Sequence, residues 1–110
     1  MKKYSTLWTQ FETQSLAFGL LRKALYPSYL VRGDFGKIEI YRATKDKHHP
    51  VHVLTIHVHA STKQEDDGFF KVGENEYNLV GGQSAYQVVM NVVPELKARA
   101  EGGNAVPSPI

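Results

Sequence analysis

All five histidines of this chain lie within the thirteen-residue stretch HHPVHVLTIHVHA, residues 48–60. Histidine can bind a metal, transfer a proton or change its charge near neutral pH, so this stretch is where the sequence offers chemistry. The alternation of residues in VHVLTIHVHA predicts a β-strand, in which side chains two apart project from the same face. His57 and His59 are therefore expected to stand side by side, close enough to bind one metal ion.

A catalytic metal needs more than this pair. It needs a third protein ligand and usually an outer carboxylate that orients the histidines. The loop that follows the strand carries Glu65, Asp66 and Asp67, but no fixed spacing ties these carboxylates to the histidines. A metal-binding protein or small metal enzyme centred on His57 and His59 is therefore the alternative hypothesis, and the main expectation is a chain without metal or cofactor.

The two faces of the histidine strand differ in character. Leu54, Ile56 and Val58 share one face, which we expect to lie in the core with His52 at its fringe. The opposite face is half polar and half apolar, which is typical of surfaces for self-association or macromolecular binding. With Tyr41 from the neighbouring strand it forms the predicted binding surface: Tyr41, Val51, Val53, Thr55, His57 and His59.

A second candidate site lies in LVGGQSAYQ, where two glycines lead into a predicted helix. Backbone N–H groups at a helix N-terminus can bind an anion, so Gly81, Gly82 and Ser84 form a candidate anion site. A strand-to-helix turn that requires glycine explains the same residues without any ligand. No Walker lysine follows the glycines.

Other catalytic patterns are absent from the sequence. No serine stands in the G-x-S-x-G context of a nucleophile elbow. The adjacent carboxylates Asp66 and Asp67 lie in a polar, lysine-containing loop, where such residues are usually solvated. The chain has no cysteine, which excludes disulfides and thiolate chemistry. We therefore expect a small non-enzymatic binding or accessory protein.

The first element that positions these residues is a helix. Apolar residues recur at spacings of three, four and seven: Leu7, Phe11, Phe18, Leu21 and Leu25. We expect this stripe, together with Trp8, to lie in the core. Thr9 and Glu12 match a capping box, and Tyr26-Pro27 should end the helix.

Strands follow the helix. YLVRG and KIEIYRA flank Asp34-Phe35-Gly36, and FFKV and EYNLV flank Gly73-Glu74-Asn75, which predicts two hairpins around the histidine strand. A second helix starts near Ser84 and is apolar at Val88, Val89, Val92, Val93 and Leu96. The predicted fold is α+β: a helix, a four- to five-stranded antiparallel meander and a helix, with both helices on one sheet face. Residues 1–101 should form one domain, and residues 102–110 a disordered tail.

Hydropathy and charge limit the classes of partner that the chain is expected to bind. No run approaches the ~20 apolar residues of a membrane span, so a cytoplasmic protein without a membrane contact is expected. The helix–strands–helix layout resembles that of double-stranded-RNA-binding domains, whose second helix opens with lysines. Here Ala85, Tyr86 and Gln87 occupy those positions, and the net charge is only +2. A homodimer or a protein partner is therefore favoured over a nucleic acid.

Overall fold

The computed structural model describes residues 9–43, 49–60 and 67–101. Its elements follow the predicted helix–sheet–helix order and confirm the α+β class: α1 (Gln10–Leu25), β1 (Tyr29–Asp34), β2 (Lys37–Arg42), β3 (Val51–His59), β4 (Gly68–Gly73), β5 (Glu76–Val80), a 3-10 turn (Gly82–Ser84) and α2 (Ala85–Glu101). The predicted tail, residues 102–110, lies outside the described residues, as do Leu7 and Trp8.

The start of α1 follows from local sequence. The hydroxyl of Thr9 accepts a hydrogen bond from the Glu12 N–H at 3.0 Å, and the Glu12 carboxylate accepts one from the Thr9 N–H at 3.0 Å. These reciprocal bonds form the predicted capping box. The helix ends at Leu25, two residues before Pro27, because the residue before proline avoids the helical region.

The buried side of α1 differs from the predicted stripe. Phe11 is 78% exposed and Phe18 is half-buried, so the expected core position of Phe11 is wrong. The Gln10 side chain donates to the Val58 carbonyl at 2.7 Å, and Gln14 donates to the Asp34 carbonyl at 2.6 Å. Because these amides must face the strands, the helix turns Phe11 outward. Its buried side chains recur every four residues: Thr13, Ala17, Leu21 and Leu25.

The five strands form one mixed sheet in the order β1-β2-β3-β5-β4. The first three strands make the predicted antiparallel meander, and β4 pairs with β5 as the predicted hairpin. Gly36 supplies the positive φ, 75°, that the β1–β2 turn requires. One pairing departs from the meander, since β5 rather than β4 lies beside β3 and runs parallel to it. The more exposed β4 is left at the edge of the sheet.

Both helices pack on the same face of the sheet. α1 contacts β1, β2 and β3, while α2 contacts α1 and β4. The strands contribute fully or nearly fully buried side chains to this face: Ile38, Ile40, Leu54, Ile56, Val58, Tyr77 and Leu79. α2 adds Ala85, Val88, Val92 and Leu96, and Val89 and Val93 pack partly buried beside them. Within the part of the chain that the structure describes, neither helix is long and apolar enough to cross a membrane.

Candidate functional site

The side of the sheet that faces away from both helices, here called the open face, carries most of the predicted binding surface. Paired residues of neighbouring strands project from the same face, so the register assigns its members. They are Leu30, Arg32, Asp34, Lys37, Glu39, Tyr41, His52, Val53, Thr55, His57, His59, Phe70, Glu76, Asn78 and Val80. The structure therefore brings together five of the six predicted residues, all except Val51.

A β-bulge explains why Val51 is missing and His52 is present. The register between β2 and β3 shifts after Ile40, which pairs with Leu54, while Tyr41 pairs with His52. Val53 is the extra residue, and a bulge reverses the alternation of the side chains beyond it. His52 thus joins the open face and not the core fringe, which corrects its predicted position. Val51 pairs with Arg42 on the other side and is exposed.

His52 holds the centre of the open face together. Its Nε2 lies 2.7 Å from the Thr55 hydroxyl, and its ring meets the Tyr41 ring edge-on with centroids 5.4 Å apart. Val53 and Thr55 are only 9% and 8% exposed although no helix covers them. The centre of this face is therefore packed by its own side chains.

His57 and His59 make separate contacts. The Nε2 atom of His57 lies 4.0 Å from the Glu76 carboxylate, whereas the Nε2 atom of His59 lies 3.1 Å from the Asn78 side-chain oxygen. Among residues 9–43, 49–60 and 67–101, no three histidine or acidic side chains are grouped so that they could hold a metal ion. Glu65 and Asp66 lie outside these ranges. The arrangement therefore gives the two imidazoles different partners and no shared centre.

Charges of both signs alternate on the open face. Glu39 accepts a hydrogen bond from the Tyr41 hydroxyl at 3.2 Å and lies 3.6 Å from the Lys37 ammonium. Arg32 stands directly across from Glu39 in the register. Together with Glu76 and with Asp34, which pairs with Lys37, these residues make two cations and three carboxylates, so the face presents no uniform positive field to a polyanion.

Apolar side chains stand at both margins of the open face. Leu30, on the edge strand β1, is 45% exposed, and Phe70, on the opposite edge strand β4, is 49% exposed. The Phe70 ring lies over Gly68, where a Cβ would come within 2.4 Å of it. Gly68 pairs with Val80, so the ring is held against the sheet beside an aliphatic neighbour. The open face thus has two apolar margins and a polar centre.

The candidate anion site is closed. Gly81, Gly82 and Ser84 are all buried. Gly81 has φ +80°, and a Cβ there would come within 2.1 Å of the Asp67 carboxylate. The glycine is therefore needed for the turn and for the close approach of Asp67. An external anion at this place would meet a carboxylate, which its charge disfavours.

A third polar cluster, which the sequence analysis missed, lies on the helix-covered face. The Glu95 carboxylate accepts hydrogen bonds from the Tyr77 hydroxyl and from Arg99, the latter at 2.5 Å, and lies 3.6 Å from the Lys71 ammonium. Burial, followed by the hydrogen bond and charge of Glu95, raises the pKa of Tyr77 to about 12. Burial alone would raise the pKa of Glu95, but the hydrogen bonds from Tyr77 and Arg99 and the two positive charges outweigh it and lower that pKa.

The ring of Tyr77 also stacks on Phe69, with centroids 4.6 Å apart. The cluster therefore fastens α2 to the β4–β5 hairpin. Its Glu95–Arg99 pair is visible in the sequence as an i,i+4 spacing on a helix, but the strand residues that join it depend on the sheet register.

A scan of protein-family models and searches of curated proteins and of solved structures found no match to this chain.

Proposed function

We propose that this chain is a small non-enzymatic binding protein that engages a protein partner through the open face. The observation that carries the proposal is the arrangement of the polar side chains there. His52, His57 and His59 contact three different side chains, Thr55, Glu76 and Asn78, and do not converge on one another among the described residues. Such a surface suits recognition better than acid–base or metal chemistry, which needs convergent groups.

The apolar margins supply the anchors for a partner. Leu30 and Phe70 lie four strand spacings apart, about 19 Å across the sheet. In a typical protein interface a few well-packed anchor residues supply most of the affinity, and Leu30 and Phe70 are exposed apolar side chains that can act as such anchors. A face of this size fits the smaller, reversible class of interface.

The charge pattern favours a protein other than a second copy of this chain. Packing two open faces together would bury Arg32, Lys37, Glu39 and Glu76 of both copies, at a desolvation cost that ion pairs seldom recover. A nucleic acid is disfavoured as well, because the carboxylates offset the cations. A protein partner with apolar side chains opposite the margins and uncharged polar groups, with bridging water, opposite the centre meets both conditions.

Site-specific photo-crosslinking in cells that produce the protein tests the proposal. A benzophenone amino acid in place of His57 should give one dominant protein adduct, and adding Phe70→Glu should abolish it by placing a charge at the apolar margin. The same crosslinker in place of Lys97, exposed on α2, is the matched control. No adduct from position 57, or the same adducts from both positions, would refute the proposal.

A further inference from the structure

The outward side of α1 faces neither the sheet nor α2. The exposed residues on this side of the helix and its C-cap are here called the outer face of α1: Phe11, Glu12, Ser15, Gly19, Arg22, Lys23 and Tyr26. This surface lies on the opposite side of the molecule from the open face. Any role that it has is therefore separate from the proposed function.

Two aromatic rings stand at opposite ends of the outer face. Phe11 is 78% exposed and Tyr26 is 72% exposed. Rings of this size gain more from burial than any other side chains on the helix, so a helix that exposes both carries unused apolar surface.

Gly19 lies between them, in the interior of α1. Glycine is the least favourable helix residue after proline, so an interior glycine calls for a reason. A Cβ added at Gly19 would have no atom of the described residues within 4 Å, so packing within that part of the chain does not require the absence of a side chain. A glycine on an exposed helix does permit another backbone to approach closely.

We propose that the outer face of α1 binds the same face of a second copy of this chain, antiparallel about a two-fold axis at Gly19. Each helical residue advances about 1.5 Å, so Phe11 lies about 12 Å from the axis and Tyr26 about 10.5 Å on its other side. The two-fold places the partner's Tyr26 at the level of Phe11, and the partner's Phe11 at the level of Tyr26. Both exposed rings of each copy become covered.

The charges of the outer face are complementary under this rotation. The acidic Glu12 lies near the start of the helix, and the basic Arg22 and Lys23 lie in its last turn. The two-fold brings the partner's Lys23 to within about 4.5 Å of Glu12 along the axis, which is within the reach of a lysine side chain. A parallel arrangement would instead place like charges together.

Two shallow, open depressions lie along the helix at the levels where the proposed two-fold axis places the partner's rings. One of about 450 Å³ lies between Phe11, Ser15, Phe18 and the β1–β2 turn, and the partner's Tyr26 would enter it. The other, of about 590 Å³, lies between Gly19, Arg22, Lys23 and Tyr26, and would receive the partner's Phe11 beside two cations. One helix flank is a small interface, so the dimer should exist in a concentration-dependent equilibrium with monomer.

Sedimentation velocity of the full chain, over a concentration series into the high-micromolar range, tests this. The wild type should shift from monomer to dimer. Lys23→Glu should weaken the dimer at least tenfold, whereas Lys97→Glu, the same charge change on the exposed side of α2, should leave it unchanged. Gly19→Leu should abolish the dimer without lowering the melting temperature, because leucine favours helix while its side chain blocks the approach.

A charge swap gives an independent result. Chains with Lys23→Glu and chains with Glu12→Lys should each stay monomeric, yet a mixture of the two should form a heterodimer, because every contact between the helices then joins opposite charges. A wild type that remains monomeric throughout, or a dimer that survives both Lys23→Glu and Gly19→Leu, would overturn the proposal.

Discussion

Polar side chains are arranged differently on the two faces of the sheet. On the helix-covered face, Tyr77, Arg99 and Lys71 all converge on Glu95, and the pKa values of Tyr77 and Glu95 shift in opposite directions. On the open face, His52, His57 and His59 each meet a different partner. On the covered face, the contacts that converge on Glu95 stabilise one arrangement of α2 and the β4–β5 hairpin. On the open face, the histidines have separate contacts, so each side chain is available to the partner that we propose.

Residues of one type that are close in sequence therefore do not always form one site in the folded protein. His52, His57 and His59 are close along the chain because all three lie on β3, and the bulge and the parallel β5 give each of them a separate neighbour. The residues that do act as one unit, Tyr77 and Glu95, are 18 positions apart.

The largest effect is expected from a substitution that disrupts the packing of the covered face. Ile56→Ala removes a fully buried side chain from the central strand, and should cost about 2–5 kcal/mol of unfolding free energy. Leu30→Ala, on the open face and half-exposed, should cost under about 1 kcal/mol because less surface leaves the core. Urea unfolding of the two variants measures both. Equal losses would mean that the open face is covered in solution.

The next prediction compares the same substitution, glutamate to glutamine, on the two faces of the sheet. Glu95→Gln should cost about 1–3 kcal/mol, since it weakens charge-assisted hydrogen bonds under cover. Glu76→Gln, exposed beside His57, should change stability by less than about 0.5 kcal/mol. Urea unfolding at neutral pH makes the comparison. A larger loss from Glu76→Gln would reverse the assignment of the structural cluster.

The same pair of variants has a pH signature. The folded-state pKa of Glu95 is lowered, so its contribution is present above the ordinary value of 4.5 and is lost as pH falls through the lowered value. The folded-state pKa of Tyr77 is raised from 10.0 to about 12, so its contribution is present below 10.0 and is lost as pH rises toward 12. Both limbs of the wild-type stability profile should be shallower in Glu95→Gln, and neither should change in Glu76→Gln.

Local chemistry made the element boundaries predictable. The capping box of Thr9 and Glu12, the stop at Pro27 and the glycine turn at Gly36 each depend on neighbours in the chain. Together with the apolar spacing in α2 and the turn at Gly73-Glu74-Asn75, these signals sufficed for both helices, both hairpins and the α+β class. The alternation in β3 also assigned Leu54, Ile56 and Val58 to the core correctly.

The predictions that were wrong depend on contacts between residues that are distant in the sequence. Strict alternation placed His52 in the core fringe, but the bulge at Val53 arises from the pairing of β2 with β3. Hydrophobicity alone placed Phe11 in the core, whereas Gln10 and Gln14 orient α1 through hydrogen bonds to strand carbonyls. Likewise, nothing local indicates that β5 inserts beside β3. Such features need the register, which a single sequence does not reveal.

A smaller effect concerns the histidines as contact residues. His57 and His59 lie on the central strand of the open face, so a partner bound to this face would contact their side chains. The double variant His57→Gln, His59→Gln should keep the fold, because neither side chain is buried. It should reduce crosslinking of the partner from a benzophenone in place of Arg32, which leaves both apolar anchors in place. Unchanged crosslinking would show that the histidines do not influence binding.

The smallest effect is expected from metal removal. Because His57 and His59 have different partners, a metal ion that bridged them would have to break the contacts with Glu76 and Asn78 and would still need further ligands. Treatment with a chelator should therefore leave the melting temperature of the wild type unchanged within about 1 °C, because the proposed function couples no metal-binding free energy to folding. The metal hypothesis requires the opposite: chelator lowers the melting temperature of the wild type and has no effect on the double glutamine variant. Stoichiometric metal in the purified protein, lost when either histidine is replaced, would favour the metal-binding hypothesis over the proposed binding of a protein partner.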